Sequence, residues 1–479
     1  MYRKTVLQLK GLLENKKISS VELMKAYLQR IKQVDEQIQA YITLQEEEIL
    51  LQSAQEADQR RSQGKAGILE GIPMAVSDNI CTQGMKTTGA SFMLNSFVPP
   101  YQATVVEKYL EEGAILVGKL DMDEFGIHSP YSIAKVRNPW NLQMTLGSSG
   151  GGSSAAVAAE EIPFALGVDG GGDLRQPAHF CGCFALKPTY GRVSRYGLIS
   201  VAPSFEQIGS VTKTVEDMDL LMGLLTGKDS KDPTTHSQPW VPLEKDLAIS
   251  EMKIALPHFS DLFPCRPSIQ KHIHKVASQL ETLGARVEEV ELPMLSYVPS
   301  MYQILTSAEA SSNLARIDGI RYGHRAERYD DLSDLYQKTR QEGFGLGVKE
   351  KILFGTYVLS ASHYETYYQK ALKLRTLLYQ ETNQIFQSYH MILTPVIPFP
   401  VWNREEKKSV QDYYWKDMYT AIANLTGFPA LSIPTRDRIE GVPIGFQLIG
   451  QAGKEHQLLQ VAYTYEQQEG ISKRKEKSW

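Results

Sequence analysis

Residues 166–177 read Leu166-Gly167-Val168-Asp169-Gly170-Gly171-Gly172-Asp173-Leu174-Arg175-Gln176-Pro177. A short apolar run leads into three consecutive glycines, and an acidic residue follows them directly. Glycine clusters of this kind mark tight turns, because glycine adopts backbone conformations that other residues avoid. The stretch lies inside a region of alternating apolar and helical segments, so we interpret it as a tight loop within a fold and not as a linker.

That surrounding region begins after Gly67. Residues 72–76 and 114–117 are short apolar runs, whereas residues 104–112 have helical spacing. This alternation is typical of strands and helices layered around a buried sheet. A second tight loop, rich in glycine and serine, is predicted at residues 147–154.

The N-terminal segment, residues 5–51, carries apolar residues at helical spacing and predicts two or three helices. Ser19 and Ser20 ahead of Glu22 supply a helix start, with a side-chain oxygen for the free N–H groups and an acid in the first turn. Residues 308–383 predict long helices, whose tyrosines at 357, 364, 367 and 368 we expect mainly in the core. Residues 391–400 predict a buried strand that ends in a proline-rich turn.

A chain of 479 residues can bury a large core. We divide it into N-terminal helices packing on the core (1–66), a core that carries the glycine- and serine-rich loops (67–228), and the remainder of the same domain (229–479). A polar stretch at 229–244 opens the last region. The basic run at 473–477 is expected to be a solvated tail.

The formal net charge of −4 argues against general attraction to nucleic acid or to an anionic membrane. The N-terminus has no apolar signal core, and no apolar stretch is long enough to span a bilayer. We therefore expect a soluble, cytoplasmic protein without direct nucleic-acid or membrane binding, and without a cofactor or metal. The cysteines lack metal-type spacing and are expected to be reduced thiols; they are Cys81, Cys181, Cys183 and Cys265.

Several motifs along nearly the whole chain resemble those of the amidase signature family, and within it the A subunits of tRNA-dependent amidotransferases, the glutaminase component of the GatCAB complex. The resemblance implies one α/β domain whose mixed, mostly parallel central sheet is sandwiched between helices. The motifs lie at residues 18–23, 71–79, 118–125, 137–140, 147–154, 180–182, 186–197, 355–360 and 441–450.

In that family a lysine, a bridging serine and a nucleophilic serine hydrolyse amides through a covalent intermediate. The resemblance places Ser77 at the lysine position and Asp173 at the nucleophile position. Ser149 matches the bridging serine best, and Ser148 is the alternative because the serine pair is shifted by one residue. A neutral serine needs a base to attack a carbonyl, so neither the proton relay nor the attacking hydroxyl of the family is present.

The glycines before Asp173 correspond to the oxyanion donors of the family. Backbone N–H groups of Gly170, Gly171 and Gly172, aimed at a developing negative charge, are expected to bind the Asp173 carboxylate instead. Such hydrogen bonds favour the ionised form. We therefore expect ordinary amide hydrolysis to be abolished or very weak.

The family's substrate contacts match this sequence in part. Asp417 corresponds to the acid that recognises the substrate's amino group, and Arg175 is retained beside the loop. An arginine that holds the substrate carboxylate corresponds to Glu350 in our register, and an acid there would repel a carboxylate. The acid at this position therefore predicts a substrate preference different from that of the family.

Two histidines, His128 and His179, stand near the site where the family has small residues. Histidine exchanges protons near neutral pH, so both are catalytic candidates. A packed, hydrogen-bonded role competes with a catalytic one at each position, and no ligand spacing supports a metal site.

Two functional hypotheses remain open, with a third behind them. The first is a repurposed enzyme acting on an amine-, amide- or acyl-bearing small molecule or a peptidyl substrate without a serine nucleophile, with Asp173 as acid or base. The alternative is an inactive scaffold subunit bound to a GatB/GatC-like or biosynthetic partner. The third is weak residual amidase or glutaminase activity.

Overall fold

A computed structural model describes residues 1–132, 134–259, 265–406 and 409–471. The basic run at 473–477 lies outside the described residues. The helices are α1 (Val6–Glu14), α2 (Ser20–Ile38), α3 (Glu47–Ser62), α4 (Thr104–Glu111), α5 (Gly151–Ala158), α6 (Arg175–Cys181), α7 (Val215–Leu225), α8 (Pro267–Thr282), α9 (Val298–Asn313), α10 (Leu332–Gly343), α11 (Leu346–Leu359), α12 (Lys370–Ile385), α13 (Val410–Trp415), α14 (Ala421–Thr426) and α15 (Glu455–Glu469).

The strands are β1 (Tyr41–Leu44), β2 (Pro73–Ser77), β3 (Ile115–Leu120), β4 (Ala165–Asp169), β5 (Phe184–Lys187), β6 (Gln207–Thr212), β7 (Lys253–Pro257), β8 (Arg286–Val290), β9 (Met391–Thr394), β10 (Ala430–Ile439) and β11 (Val442–Gly450). They form one sheet in the order β1-β3-β2-β4-β6-β5-β10-β11-β9-β7-β8.

The local signals in the sequence act as predicted. Ser19 caps α2: its hydroxyl accepts the Glu22 N–H at 3.1 Å, and the Glu22 carboxylate accepts the Ser19 N–H at 2.8 Å. These reciprocal bonds satisfy two N–H groups that the helix leaves without partners. The predicted N-terminal helices are confirmed as α1, α2 and α3, with the short strand β1 inserted between the last two.

The sheet is mixed, as predicted, but parallel pairs do not predominate. Within the described residues four strand pairings are parallel and six are antiparallel. One cause is the two-residue turn Glu440-Gly441, where φ is +53° and +80°. A turn of this kind folds the chain straight back on itself, so β10 and β11 must pair antiparallel.

Helices cover both faces of the sheet. Along β2, Met74 and Val76 belong to one apolar cluster, whereas Ala75 between them belongs to the other. Successive side chains of a strand point to opposite faces, so the sheet contributes to two separate cores. This sandwiched arrangement confirms the α/β class predicted from the motifs.

Three further predictions concern the cysteines, membrane-spanning helices and the tyrosines of residues 357–368. The four cysteines are free thiols and buried. No helix among the described residues combines the length and apolarity that a bilayer crossing demands. Three of the four tyrosines expected mainly in the core are exposed: Tyr357 is 45 % exposed, and Tyr364 and Tyr367 are each 38 % exposed. Tyr368 is partly buried and packs against a core cluster.

A buried ion pair fixes the loop between β4 and α6. Asp169, the last residue of β4, accepts hydrogen bonds from the Arg175 side chain at 2.8 and 2.9 Å, and both side chains are fully buried. Arg175 also donates to Asn424 at 2.7 Å and to the Thr420 carbonyl at 3.0 Å. The pair therefore ties the loop to α14 and to the segment before it.

Replacing Arg175 by methionine should lower the free energy of unfolding by about 3–5 kcal/mol, because Asp169 is left as an uncompensated buried charge. The matched control is Lys32→Met, which removes an exposed ion pair with Glu47 and should cost less than about 1 kcal/mol. Urea denaturation of both variants checks the difference. Equal losses would contradict the role given to the buried pair.

Candidate active site

A cleft of roughly 500 Å³ opens beside the loop between β4 and α6. One wall is this loop, and the opposite wall comes from α9 and α11 and from the segment between α13 and α14. The charged and polar lining residues are His128, Asp173, Glu206, Tyr302, Gln303, Thr306, Lys351, Lys416 and Asp417. Acidic and basic side chains therefore line the same cleft.

Asp173 is partly exposed to this cleft and carries two hydrogen bonds. Its Oδ1 accepts the Ser148 hydroxyl at 2.7 Å, and its Oδ2 accepts the Gly170 N–H at 3.1 Å. The Gly172 N–H is directed to Asp169 instead, at 2.9 Å. The N–H groups of Gly170, Gly171 and Gly172 were all expected to bind the Asp173 carboxylate, but among the bonds found in the described residues only that of Gly170 does so.

The glycines also let neighbouring side chains approach the loop. A Cβ built on Gly171 would lie 2.1 Å from the Tyr302 hydroxyl, and one on Gly172 would lie 2.4 Å from Thr420 Oγ1. Gly172 has φ of +116°, which side chains disfavour. Glycine at these positions is therefore required by close packing as well as by backbone conformation.

The pKa of Asp173 is shifted in the direction opposite to the one expected from its hydrogen bonds. Burial, reinforced by the Asp169 charge, raises the pKa of Asp173 to about 6, although Lys416 and the Ser148 hydrogen bond act in the opposite direction. The Ser148 hydrogen bond favours the ionised form, but desolvation outweighs it and reverses the direction of the net pKa shift. A carboxyl group in this condition can both accept and donate a proton near neutral pH.

Ser77, Ser149 and Asp173 line a smaller cavity of about 300 Å³ that the resemblance predicted they would share. Ser77 lies at the end of β2, where its hydroxyl faces the Met122 sulfur at 3.3 Å. Ser149 Oγ accepts the Asp123 N–H at 3.2 Å. Ser148, the alternative of the two serines, is the one whose hydroxyl bonds Asp173.

Asp417 lines the main cleft, where the resemblance placed it. Its Oδ1 accepts the Gln176 amide at 2.8 Å and pairs with the neighbouring Lys416 ammonium. The side chain is therefore anchored by α6 through Oδ1.

The structure does not bring Glu350 to the cleft. Glu350 is exposed and does not line the cleft, whereas Lys351 does. Lys351 donates to Thr306 at 2.8 Å and to Gln303 at 3.1 Å. Consecutive helix residues point about 100° apart, so a shift of one residue exchanges an acid for a base and removes the predicted repulsion of a carboxylate.

Burial lowers the pKa of Lys351 to about 8, while the charges of Asp417 and Asp173 act to raise it. The ammonium is therefore mainly protonated at neutral pH. The Lys351 ammonium is thus a cation in the same cleft as Asp173 and Asp417. The sequence analysis did not identify it.

Two candidates do not reach the cleft. Arg175 is fully buried in its ion pair with Asp169 and holds the loop, so the prediction that it binds substrate is wrong. His179 is buried in α6, and its Nδ1 accepts the Gly445 N–H from β11 at 2.8 Å. Burial lowers the pKa of His179 to about 3, so this histidine stays neutral and packs the helix on the sheet.

His128 does reach the site. It lines the main cleft, and its Nδ1 lies 2.5 Å from the Asp123 carboxylate. Asp123 precedes a short helical turn, Glu124–Gly126, that bends the chain toward the cleft.

Sequence reasoning missed six of the charged and polar lining residues: Glu206, Tyr302, Gln303, Thr306, Lys351 and Lys416. Lys416 directly precedes Asp417, and that adjacency was a usable signal. Glu206 follows a long loop after β5 and Tyr302 lies on α9, and neither has a local pattern that points to the site. Among the described residues no cluster of three metal-ligating side chains is found.

Comparison with known proteins agrees with this architecture. The amidase family model matches residues 22–459, and the chain belongs to this family. It is 42 % identical to the A subunit of the glutamyl-tRNA(Gln) amidotransferase of Thermoanaerobacter pseudethanolicus, over 98 % of this chain and 96 % of the relative.

Two solved structures share the fold. The A subunit of the glutamyl-tRNA(Gln) amidotransferase of Thermotoga maritima superposes with a TM-score of 0.80 at 35 % identity, covering 98 % of this chain and 95 % of its own. The peptide amidase of Stenotrophomonas maltophilia gives a TM-score of 0.80 at 25 % identity, with 98 % and 97 % coverage.

Replacing Asp173 by asparagine should change how stability depends on pH. In the wild type the folded state keeps a proton on Asp173 up to about pH 6, whereas the unfolded chain loses it near pH 4, so wild-type stability falls as pH rises between these values. The Asp173→Asn variant has no such proton to lose, so its stability does not fall with pH for this reason. Its stability relative to wild type should increase by about 1–3 kcal/mol between about pH 4 and pH 8, measured by urea denaturation.

The control is Asp437→Asn. Burial acts to raise the pKa of Asp437, but Lys275 and His272 lower it below the usual value, so its relative stability should move in the opposite direction over the acid range. A stability difference for Asp173→Asn that is independent of pH would contradict the raised pKa.

Proposed function

We propose that this protein is a divergent amidase-family member that binds a small molecule bearing an amine or amide and an acyl or carboxylate group, and that Asp173 exchanges a proton with it. One observation carries the proposal: the Asp173 carboxyl group lines the cleft, and burial raises its pKa to about 6. The resemblance matches this residue to the family's nucleophile. Hydrolysis through a serine nucleophile is not part of this function.

The charges of the cleft support this class of ligand. Asp417 offers a carboxylate to an amino group, and Lys351 offers an ammonium to a carboxylate or carbonyl oxygen. Each of these side chains is anchored by protein hydrogen bonds, so little ordering is needed when a ligand binds.

A ligand with both groups, tested as L-glutamine, should stabilise the wild type in thermal unfolding, because ligands that bind the native state raise its stability. Lys351→Met and Asp417→Asn should abolish the shift. Glu350→Gln is the matched control on the same helix and should leave the shift unchanged. Loss of the shift in Glu350→Gln but not in Lys351→Met would refute the assigned register.

The proton exchange can be measured in the same complex. Calorimetric titrations of L-glutamine near pH 6, in buffers with different ionisation enthalpies, give the number of protons taken up or released. Wild type should show a fractional proton exchange that Asp173→Asn lacks, because Asp173 titrates in this range. Identical proton exchange in both proteins would remove Asp173 from the proposed role.

The wild type should release no ammonia from L-glutamine or simple amides, because it lacks a lysine base and a serine nucleophile. The double variant Ser77→Lys, Asp173→Ser should gain measurable ammonia release, since residues 77, 149 and 173 share one cavity. Each single variant serves as a control and should remain inactive. Ammonia release by the wild type through an acyl adduct on any hydroxyl would refute the proposal.

A second candidate function is that of a non-catalytic component of a complex. Its support is a set of large apolar side chains exposed along α11 and α12, including Leu346 at 64 %, Leu353 at 71 % and Leu377 at 49 % exposed. Exposed apolar surface of this kind is typical of interaction sites. The relatives are named as subunits of an amidotransferase, so co-expression with a GatB/GatC-like pair, followed by size-exclusion chromatography, tests this candidate.

A further inference from the structure

A second cleft, of about 690 Å³, lies beside the first. Asp123, His128 and Ser148 line it together with Arg404 and Tyr413. His128 also lines the first cleft, and Ser148 donates to Asp173 there. The two clefts are therefore separated by a wall made partly of groups that can carry protons.

His128 in this wall has the geometry of an oriented base. Its Nδ1 contacts the Asp123 carboxylate, whose side chain is only 3 % exposed. A carboxylate at Nδ1 keeps the proton on that nitrogen, so Nε2 carries the free lone pair. Nε2 is buried and has no hydrogen-bond partner among the described residues.

The His128 ring is also fixed in position by its neighbours. Tyr413 stacks on His128 with the ring centroids 5.4 Å apart and the planes inclined by 30°. The backbone of Asp123 is fixed in turn, because its N–H donates to Ser149. Asp123 is thus placed to stabilise an imidazolium when Nε2 takes a proton.

The outer part of the second cleft suits an anion. The Arg404 side chain is exposed and lines this cleft, with the charges of Glu405 and Asp121 also acting on it. Ser129 and Thr145 add hydroxyl groups to the lining. A guanidinium with hydroxyl donors around it is a typical site for a carboxylate or phosphate group.

We propose that the second cleft binds a small molecule carrying a carboxylate or phosphate group at Arg404, and that His128, positioned by Asp123, exchanges a proton with this molecule through Nε2. The proton leaves an N–H or O–H group of the ligand and forms the Nε2–H bond. The ligand atom keeps the electron pair, and the imidazolium keeps its Nδ1 hydrogen bond to Asp123. In the reverse step the proton moves from Nε2 back to the same ligand atom.

The orientation of His128 is tested by the ¹⁵N chemical shifts of the full-length protein labelled at histidine, with the His128 signals assigned by their loss in His128→Gln. At a pH where His128 is neutral, Nδ1 should be protonated and Nε2 not. His179 is an internal reference, because it accepts a backbone N–H at Nδ1 and must show the opposite tautomer. A His128 tautomer like that of His179 would overturn the proposal.

Asp123→Asn, where it folds, should abolish the tautomer preference of His128, and an unchanged preference would overturn the positioning role of Asp123. The wild-type measurement stands without this variant.

Sodium acetate and inorganic phosphate are the ligand probes. At least one should shift the His128 Nε2 signal, and Arg404→Gln should remove the shift while leaving the tautomer unchanged. A response to acetate alone or to phosphate alone distinguishes the two ligand chemistries, and no response to either overturns the anion site. Asp173→Asn should leave these results intact, so the test succeeds or fails independently of the function proposed for the first cleft.

Discussion

The buried ion pair between Asp169 and Arg175 is the constraint on which the site depends. Asp169 ends β4 and holds the N–H groups of the turn that follows, while Arg175 reaches across to α14 and the segment before it. Burial alone would raise the pKa of Asp169, but the Arg175 charge and its hydrogen bonds lower it to about 2. The pair is therefore charged at all physiological pH values, and neither partner is free to bind a ligand.

Asp173 lies four residues away on the same loop and behaves in the opposite way. Within the described part of the chain it has no arginine partner, and a serine hydroxyl and one backbone N–H are its hydrogen-bond donors. These donors do not compensate for burial beside the Asp169 charge, so its pKa is raised. Two aspartates of one loop thus divide into a permanent structural anion and a group that titrates near neutral pH, and this division is typical of acid–base sites.

The shared fold does not settle the chemistry, because function resides in a site placed on a fold. The protein keeps the family's sheet, its glycine-rich turn and the acid at Asp417. Ser77 and Asp173 occupy the positions where the resemblance predicts the family's lysine and nucleophilic serine, and His128 lines both clefts.

Several features could be predicted because they are encoded locally. The Ser19 cap depends on residues three apart, the β10–β11 hairpin on a two-residue turn, and the glycine-rich loop on three adjacent glycines. The ordered motifs determined the α/β class and placed Ser77, Ser149 and Asp173 around one cavity. Each of these inferences needs only neighbouring residues or a recognisable order along the chain.

Other features were decided only by the tertiary structure. The sequence favoured Glu350 over Lys351, because a helix position is uncertain by one residue until its neighbours define the inward face. It could not show that Arg175 and His179 turn into the core, since their partners Asn424 and Gly445 are hundreds of residues away. Likewise the pKa of Asp173 depends on desolvation by distant segments, and desolvation exists only once the chain has folded.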